Sequence, residues 1–320
     1  MVVISVGIFY TLDVLAAVML AIIISSGLNP FVTILERIKI PRVLGTVFVF
    51  SVIFAAFASL LYAIMPIVIL EFHTLLEEFF PYVGDLFNFD INKLSSIFQL
   101  SWEKVYQLLS LGRNGQILQV SQSVIGTAAL ALAVLAISFY LLVDNKGVER
   151  FLRAILPDPH ESHVTEVFLR ARKKMGFWLQ AQILLSFFVG FCVFAGLWFL
   201  GVEHALILAI LAGVFEIIPF VGPVLTGIIA VLVTFSESQT LALYVAILFI
   251  IVQQVENNVF TPLFMRRAVG LHPVSILVAL LLGAKLFGFI GLILAVPVTV
   301  VIQEFVDDWA MRRAKNQRLM

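Results

Sequence analysis

Two carboxylates in this sequence stand where a carboxylate is costly. Glu216 lies three residues before Pro219 in the apolar run 205–235, and Glu256 lies in the apolar run 240–262. Acids inside membrane spans face a cavity or a partner, so Glu216 suits the handling of a substrate, a proton or a cation. The alternative for Glu216 is a structural pairing with Lys285, which is central to a third apolar run, 273–303, or with backbone amides freed nearby. Lys285 in turn offers a counter-ion to Glu216 or to an anionic group on a substrate, or else snorkels from a hairpin tip. Around Glu256 runs the densest polar stripe in any apolar run, made of Gln253, Gln254, Asn257, Asn258 and Thr261. On a helix Gln253, Asn257 and Thr261 recur at i, i+4 and i+8, so one face is polar. Such a face lines a pathway or bonds helices together.

Two backbone motifs accompany these side chains. In PFVGP (219–223), Gly222 permits an unusual backbone while Pro219 and Pro223 withhold donors, which opens the helix. Freed N–H and C=O groups can then hold a ligand, unless the motif is a simple tight turn. The run 273–303 is interrupted in the same way by GAKLFGFIG (283–291), with Gly288 and Gly291. Other chemistry is poorly served. His160-Glu161-Ser162-His163 spaces its histidines at i and i+3, where a helical zinc site needs i and i+4. No phosphate-binding G-x-x-x-x-G-K-[ST] loop and no G-x-S-x-G elbow is present. Neither a cofactor nor an enzymatic activity is expected.

The elements that position these residues must be membrane helices. Of 320 residues, 62% are hydrophobic and only 12% charged, against about a quarter charged in an ordinary soluble domain. Twenty Lys and Arg balance twenty Asp and Glu, so no net field recruits nucleic acid. One cysteine, Cys192, excludes an intrachain disulfide. The opening MVVISVGIFY lacks a basic n-region and an A-x-A site, so no removable signal peptide is expected.

Apolar runs near the ~20 residues needed to cross a bilayer fall at 14–34, 43–70, 117–143, 177–200, 205–235, 240–262 and 273–303. Residues 1–12 are apolar but too short, and Asp13 is expected to separate them from the next helix. Basic residues in 35–42, 144–176, 263–272 and the tail place those intervals in the cytoplasm, with the acidic 71–116 outside. The run 273–303 then starts and ends inside, and 205–235 starts and ends outside. Neither is a single crossing. The reading is an all-α, polytopic membrane protein with two oppositely oriented re-entrant helical hairpins in an inverted repeat, the layout of secondary transporters. It divides into N-terminal helices (1–70), an extracytoplasmic segment (71–116), a membrane helix (117–143), cytoplasmic amphipathic helices (144–176), a transport core (177–303) and a tail (304–320).

The chain resembles the autoinducer-2 exporter (AI-2E) family of bacterial permeases from about residue 14 to 305. The resemblance rests on LNP (28–30) with the basic turn IPR (40–42), on FYLLVDNKGVERF (139–151) and EIIPFVGP (216–223), and on QQVENNVFTPLFMRRAVGLHP (253–273) and LFGFIGLILAVPV (286–298). It implies an all-helical fold, export of small molecules, a homopentamer and, for some members, sodium(lithium)/proton antiport. It also puts Glu216, Pro219, Gly222, Pro223, Gln253, Glu256, Asn257 and Pro262 on the family's motif positions. The family normally has a full first span where this chain has residues 1–12. The expected function is therefore secondary export of a small polar organic molecule across the inner (plasma) membrane by alternating access. Cation/proton antiport and a non-transporting membrane scaffold are the alternatives.

Overall fold

The computed structural model describes residues 2–62, 122–156, 161–265 and 272–317. The expected extracytoplasmic segment 71–116, His160, and the basic loop residues Arg266 and Arg267 lie outside them. All regular structure among the described residues is helical.

Helix α1 spans Val2–Arg37 without a break, which corrects the separation expected at Asp13. One aspartate inside a helix costs at most about 0.7 kcal/mol in propensity, less than opening the backbone ladder would cost. The helix stops where Lys39 takes a left-handed φ of 70°, and the Ile38 and Ile40 amides turn back to the Leu35 carbonyl. Helix α2 (Arg42–Tyr62) follows. Its first residue ties the turn together. Arg42 donates to Glu36 at 2.9 Å, to the Asn29 Oδ1 at 2.6 Å and to the Leu142 carbonyl at 2.9 Å. That last bond fastens the end of α3 (Gln122–Val143). The short amphipathic α4 (Gly147–Ile155) ends at Leu156, just ahead of Pro157, as the restriction on residues preceding proline requires.

Helix α5 (Glu161–Phe199) has 39 residues and a length of about 58 Å. It packs on α1, on α4 and on the later segments Ala205–Phe215, Gln239–Val255 and Pro273–Gln317. Between apolar helices in lipid there is little hydrophobic driving force, so close backbone approach at small residues carries the packing. A Cβ on Gly176 would sit 2.6 Å from the Ser26 carbonyl of α1. Gly190 meets Gly213 of α6 (Ala205–Phe215), and Gly196 meets Leu248 of α8 (Gln239–Val255).

Helix α6 is followed by α7 (Val221–Glu237), and the two have 11 and 17 residues. Their lengths, about 16 and 25 Å, both fall short of a ~30 Å hydrocarbon core. Buried Val193, Leu208, Ala212, Ala230 and Val245 join α5, α6, α7 and α8 in one cluster. After α8 the chain makes a π-turn (Glu256–Phe260) and a short α9 (Thr261–Met265). Helix α10 (Pro273–Gln317) is bent back at Gly288, whose φ of 58° and ψ of −134° are not helical. On a straight helix residues 283 and 291 stand roughly 12 Å apart. Here a Cβ on Gly291 would lie 1.9 Å from the Gly283 carbonyl oxygen. The run therefore consists of two arms lying against each other.

Ile218, in the break between α6 and α7, packs against Leu280 and Ala295, one from each arm of α10. The two broken segments meet there. With five described helices long and apolar enough to cross a bilayer, the protein is a multi-pass membrane protein.

Candidate functional site

The site is built on the break at Glu216–Phe220. The Ile218 amide bonds to the Phe215 carbonyl at 3.0 Å and the Gly222 amide to the Ile218 carbonyl at 2.9 Å. Phe220 adopts a left-handed φ of 64°, a strained state for a bulky side chain. Gly222 is required. A Cβ there would lie 2.0 Å from the Phe215 carbonyl oxygen. Pro223, half-buried, sits in the first turn of α7, where a missing N–H costs nothing.

This turn presents Glu216, only 1% exposed, to the end of α8. Its carboxyl faces that of Glu256, within hydrogen-bonding range. Glu256 is buried as well, and its Oε2 accepts from Gln253 Nε2 at 2.8 Å. The Gln182 side chain, from the middle of α5, donates to the Glu216 backbone carbonyl. Glu216 Oε2 and Gln182 Oε1 are both buried without a donor among the described groups. A hydrogen bond between two carboxyls needs a proton on one of them, and two ionised carboxylates in contact repel. The arrangement can hold a proton, or release it to a cation that would use the same oxygens.

The π-turn shapes the other half. Pro262 has no N–H to give, and a proline ring crowds the carbonyl four residues back, here that of Asn258. The wider π-turn accommodates this defect, a feature common at functional positions. Asn258 folds back to donate to the Gln254 carbonyl at 2.8 Å. The polar stripe is divided as a result. Gln253 and Glu256 turn toward Glu216, Thr261 is half-buried, and Gln254, Asn257 and Asn258 are exposed. Asn258 and Pro262 line a cavity of about 710 Å³ against Phe177, Gln180 and Leu184 of α5. Rings of Phe188, Phe260 and Phe264 flank this side, Phe188 tilted against Phe260 at 5.3 Å and stacked on Phe264 at 5.4 Å.

Lys285 and Gly288 are exposed at the bend of α10, and Gly291 is buried against Gly283. Pro219 is half-buried in the first break. The group that faces Glu216 is Glu256, so the pairing with Lys285 is not formed. Sequence reading passed over Gln182. Its signal was a glutamine in the otherwise apolar stretch after Trp178. It also passed over an ionic cluster joining the polar end of α5 to α10. Arg170 reaches Asp308 at 2.7 Å and Glu304 at 3.3 Å, and Lys174 also pairs with Glu304. His163 joins through Asp308 at 3.1 Å.

Residues 1–311 match the family described as "AI-2E family transporter". Among curated relatives, the "Putative transport protein YueF" of Bacillus subtilis is 30% identical over 87% of this chain and 79% of its own length. The "Putative transport protein YhhT" of Escherichia coli K12 is 24% identical over 96% and 88% respectively. A Synechocystis relative, "Putative transport protein sll0063", is 24% identical over 93% and 78%. A multi-pass helical chain, a pair of buried acids beside a broken helix, and a match over nearly its whole length lead to one assignment: this chain belongs to the AI-2E transporter family.

Proposed function

We propose that the protein is a secondary transporter that exports a small polar organic molecule by alternating access, with proton exchange at the Glu216–Glu256 pair driving the cycle. The observation that carries this reading is two carboxyls buried face to face where one helix is broken and the next makes a π-turn. A shared proton there is gained or lost only when one side of the membrane has access to the pair. That couples solute movement to a proton gradient.

The two broken segments support the alternating-access part. Each has a left-handed residue, Phe220 or Gly288, followed closely by a glycine against the opposite arm, Gly222 or Gly291. On this reading they are re-entrant hairpins of opposite orientation, α5 with α6 and α7 followed by α8 with the arms of α10. On the same reading, supported by the basic residues of the intervals assigned to the inside, the C-terminus is cytoplasmic and the chain sits in the inner membrane as a homo-oligomer. A second reading, sodium(lithium)/proton antiport, draws support from the orphaned Glu216 Oε2 and Gln182 Oε1, since hard cations favour such oxygens.

The test is transport by the purified protein in liposomes, with a pH dye inside and either polar metabolites of the autoinducer-2 type or sodium and lithium outside. Solute-dependent proton flux that Glu216→Gln and Glu256→Gln abolish supports the reading. Flux with sodium or lithium alone selects the antiporter. Undiminished transport by the double variant would overturn both, and absence of any flux would leave the scaffold alternative standing.

A further inference from the structure

The polar end of α5 carries a second, cationic site. Arg172 is 8% exposed, yet none of the described acids pairs with its guanidinium. Its Nη1 donates to the Asn145 carbonyl at 2.9 Å, and its Nη2 is buried without an acceptor. The neighbouring charge that acts on it is another cation, Arg42. A buried guanidinium beside a like charge and without a counter-ion is strongly unfavourable. The site it lines is a cavity of about 310 Å³ between α1, the α3–α4 turn and α5.

Two further groups around this cavity offer donors, while Ser26 and Gln180 spend theirs on the Ile22 and Gly27 carbonyls. Lys173 lines it, held over the Phe177 ring at 5.9 Å. Asn29 lines it with its side-chain oxygen already taken by Arg42, so its NH₂ is the group it offers. No acidic side chain is among the lining residues. Phe177 and Gln180 also line the larger cavity beside Asn258, so the two spaces adjoin.

We propose that this cavity binds a phosphate-bearing anion, held by Arg172 Nη2 in charge-assisted hydrogen bonds with Lys173 and Asn29 completing the set. Guanidinium and ammonium groups with an amide donor are the usual partners of phosphate oxygens. The volume suits one headgroup or one small phosphorylated solute. The phosphate arrives either on an anionic lipid, reaching in from the leaflet at this end of α5, or as a soluble ion on its way to the adjoining cavity. The site is separate from Glu216 and Glu256 and does not depend on their role.

The experiment is thermal unfolding of the full-length purified protein, titrated at constant ionic strength with inorganic phosphate and, separately, with phosphatidylglycerol against phosphatidylcholine in mixed micelles. Wild-type protein is expected to gain several degrees in Tm with phosphate, with phosphatidylglycerol, or with both. Phosphate alone identifies a soluble ligand, phosphatidylglycerol alone a lipid, and both a headgroup site open to either. Lys173→Gln, on an exposed side chain that the fold does not need, is expected to weaken the half-maximal concentration at least threefold. Arg172→Lys, which keeps the charge but loses the fork, should weaken it further. No shift in wild-type protein with either probe, or an equal shift in both folded variants, would overturn the proposal.

Discussion

The chemistry of the site turns on which oxygen holds a proton. Glu256→Gln keeps a donor toward Glu216 and an acceptor for Gln253, so the fold should survive within about 1 kcal/mol. Proton exchange, by contrast, loses one of its two sites. Transport in liposomes is expected to fall at least tenfold, with Tm changed by only a few degrees. The glycines give a sharper contrast. Alanine at Gly222 would put a Cβ 2.0 Å from the Phe215 oxygen, and at Gly291 1.9 Å from the Gly283 oxygen. Backbone cannot yield as a flexible side chain does, so both variants should lose folded, monodisperse protein. Gly288→Ala meets nothing within 4 Å, so only its φ of 58° and ψ of −134° are penalised, at about 1–3 kcal/mol. A thermal ramp on the three variants checks this order, and a Gly288→Ala variant as damaged as Gly222→Ala would contradict it.

Elements decide which residues meet. Deleting Val259 takes one residue out of the π-turn and closes it to an α-turn, in which the Pro262 ring again crowds the carbonyl four residues back. Pro262 and the neighbours of the larger cavity would be misaligned while Glu256 kept its place. Helicity by circular dichroism should hold and transport should be lost; an active deletion variant would show that the π-turn is incidental. This element also marks the limit of what could be read from the chain. Both breaks were legible because Pro219, Gly222, Pro223, Gly288 and Gly291 interrupt otherwise apolar runs. Glu216 and Glu256 were legible because an acid in such a run needs a reason. Their facing each other was not. Helical spacing puts Gln253, Asn257 and Thr261 on one stripe, and a π-turn alters that register without any change in hydropathy. Gln182 was hidden for a related reason, since its importance lies in a contact with residue 216, far along the chain. Asp13 misled in the opposite direction, because a lone polar residue is a weak helix breaker.

For the whole molecule, orientation is the open variable. A reporter fused at 237 should read as external, and reporters at 268 and 315 as cytoplasmic, given the basic residues that flank α10. Opposite signals at 268 and 315 would mean that α10 crosses the membrane once despite its bend. Across the polar end of the molecule, Glu304 and Asp308 tie α10 to Arg170 and Lys174 of α5, and both acids are buried. Without Glu304, Arg170 and Lys174 each lose a partner but stay more than a third exposed, so water screens the loss to about 1 kcal/mol per pair. Leu in place of Glu304, which pairs with two cations, should therefore lower Tm by a few degrees, and more than Leu in place of the solvent-facing Glu166, which pairs with Arg170 alone.

Helix α5 meets α1 at Gly176, α6 at Gly190 and α8 at Gly196, each time with glycine at the contact. At Gly176 and Gly190 the opposing surface is mostly backbone, which gives a sliding neighbour little to catch on, whereas at Gly196 the Leu248 side chain is seated in the notch. At the polar end the contact is ionic instead, a latch of Arg170 and Lys174 with Glu304 and Asp308 that joins α5 to α10. If the two hairpins shift against each other, part of the resistance they meet there is electrical. Turnover would then answer to ionic strength at that face as well as to the viscosity of the surrounding lipid.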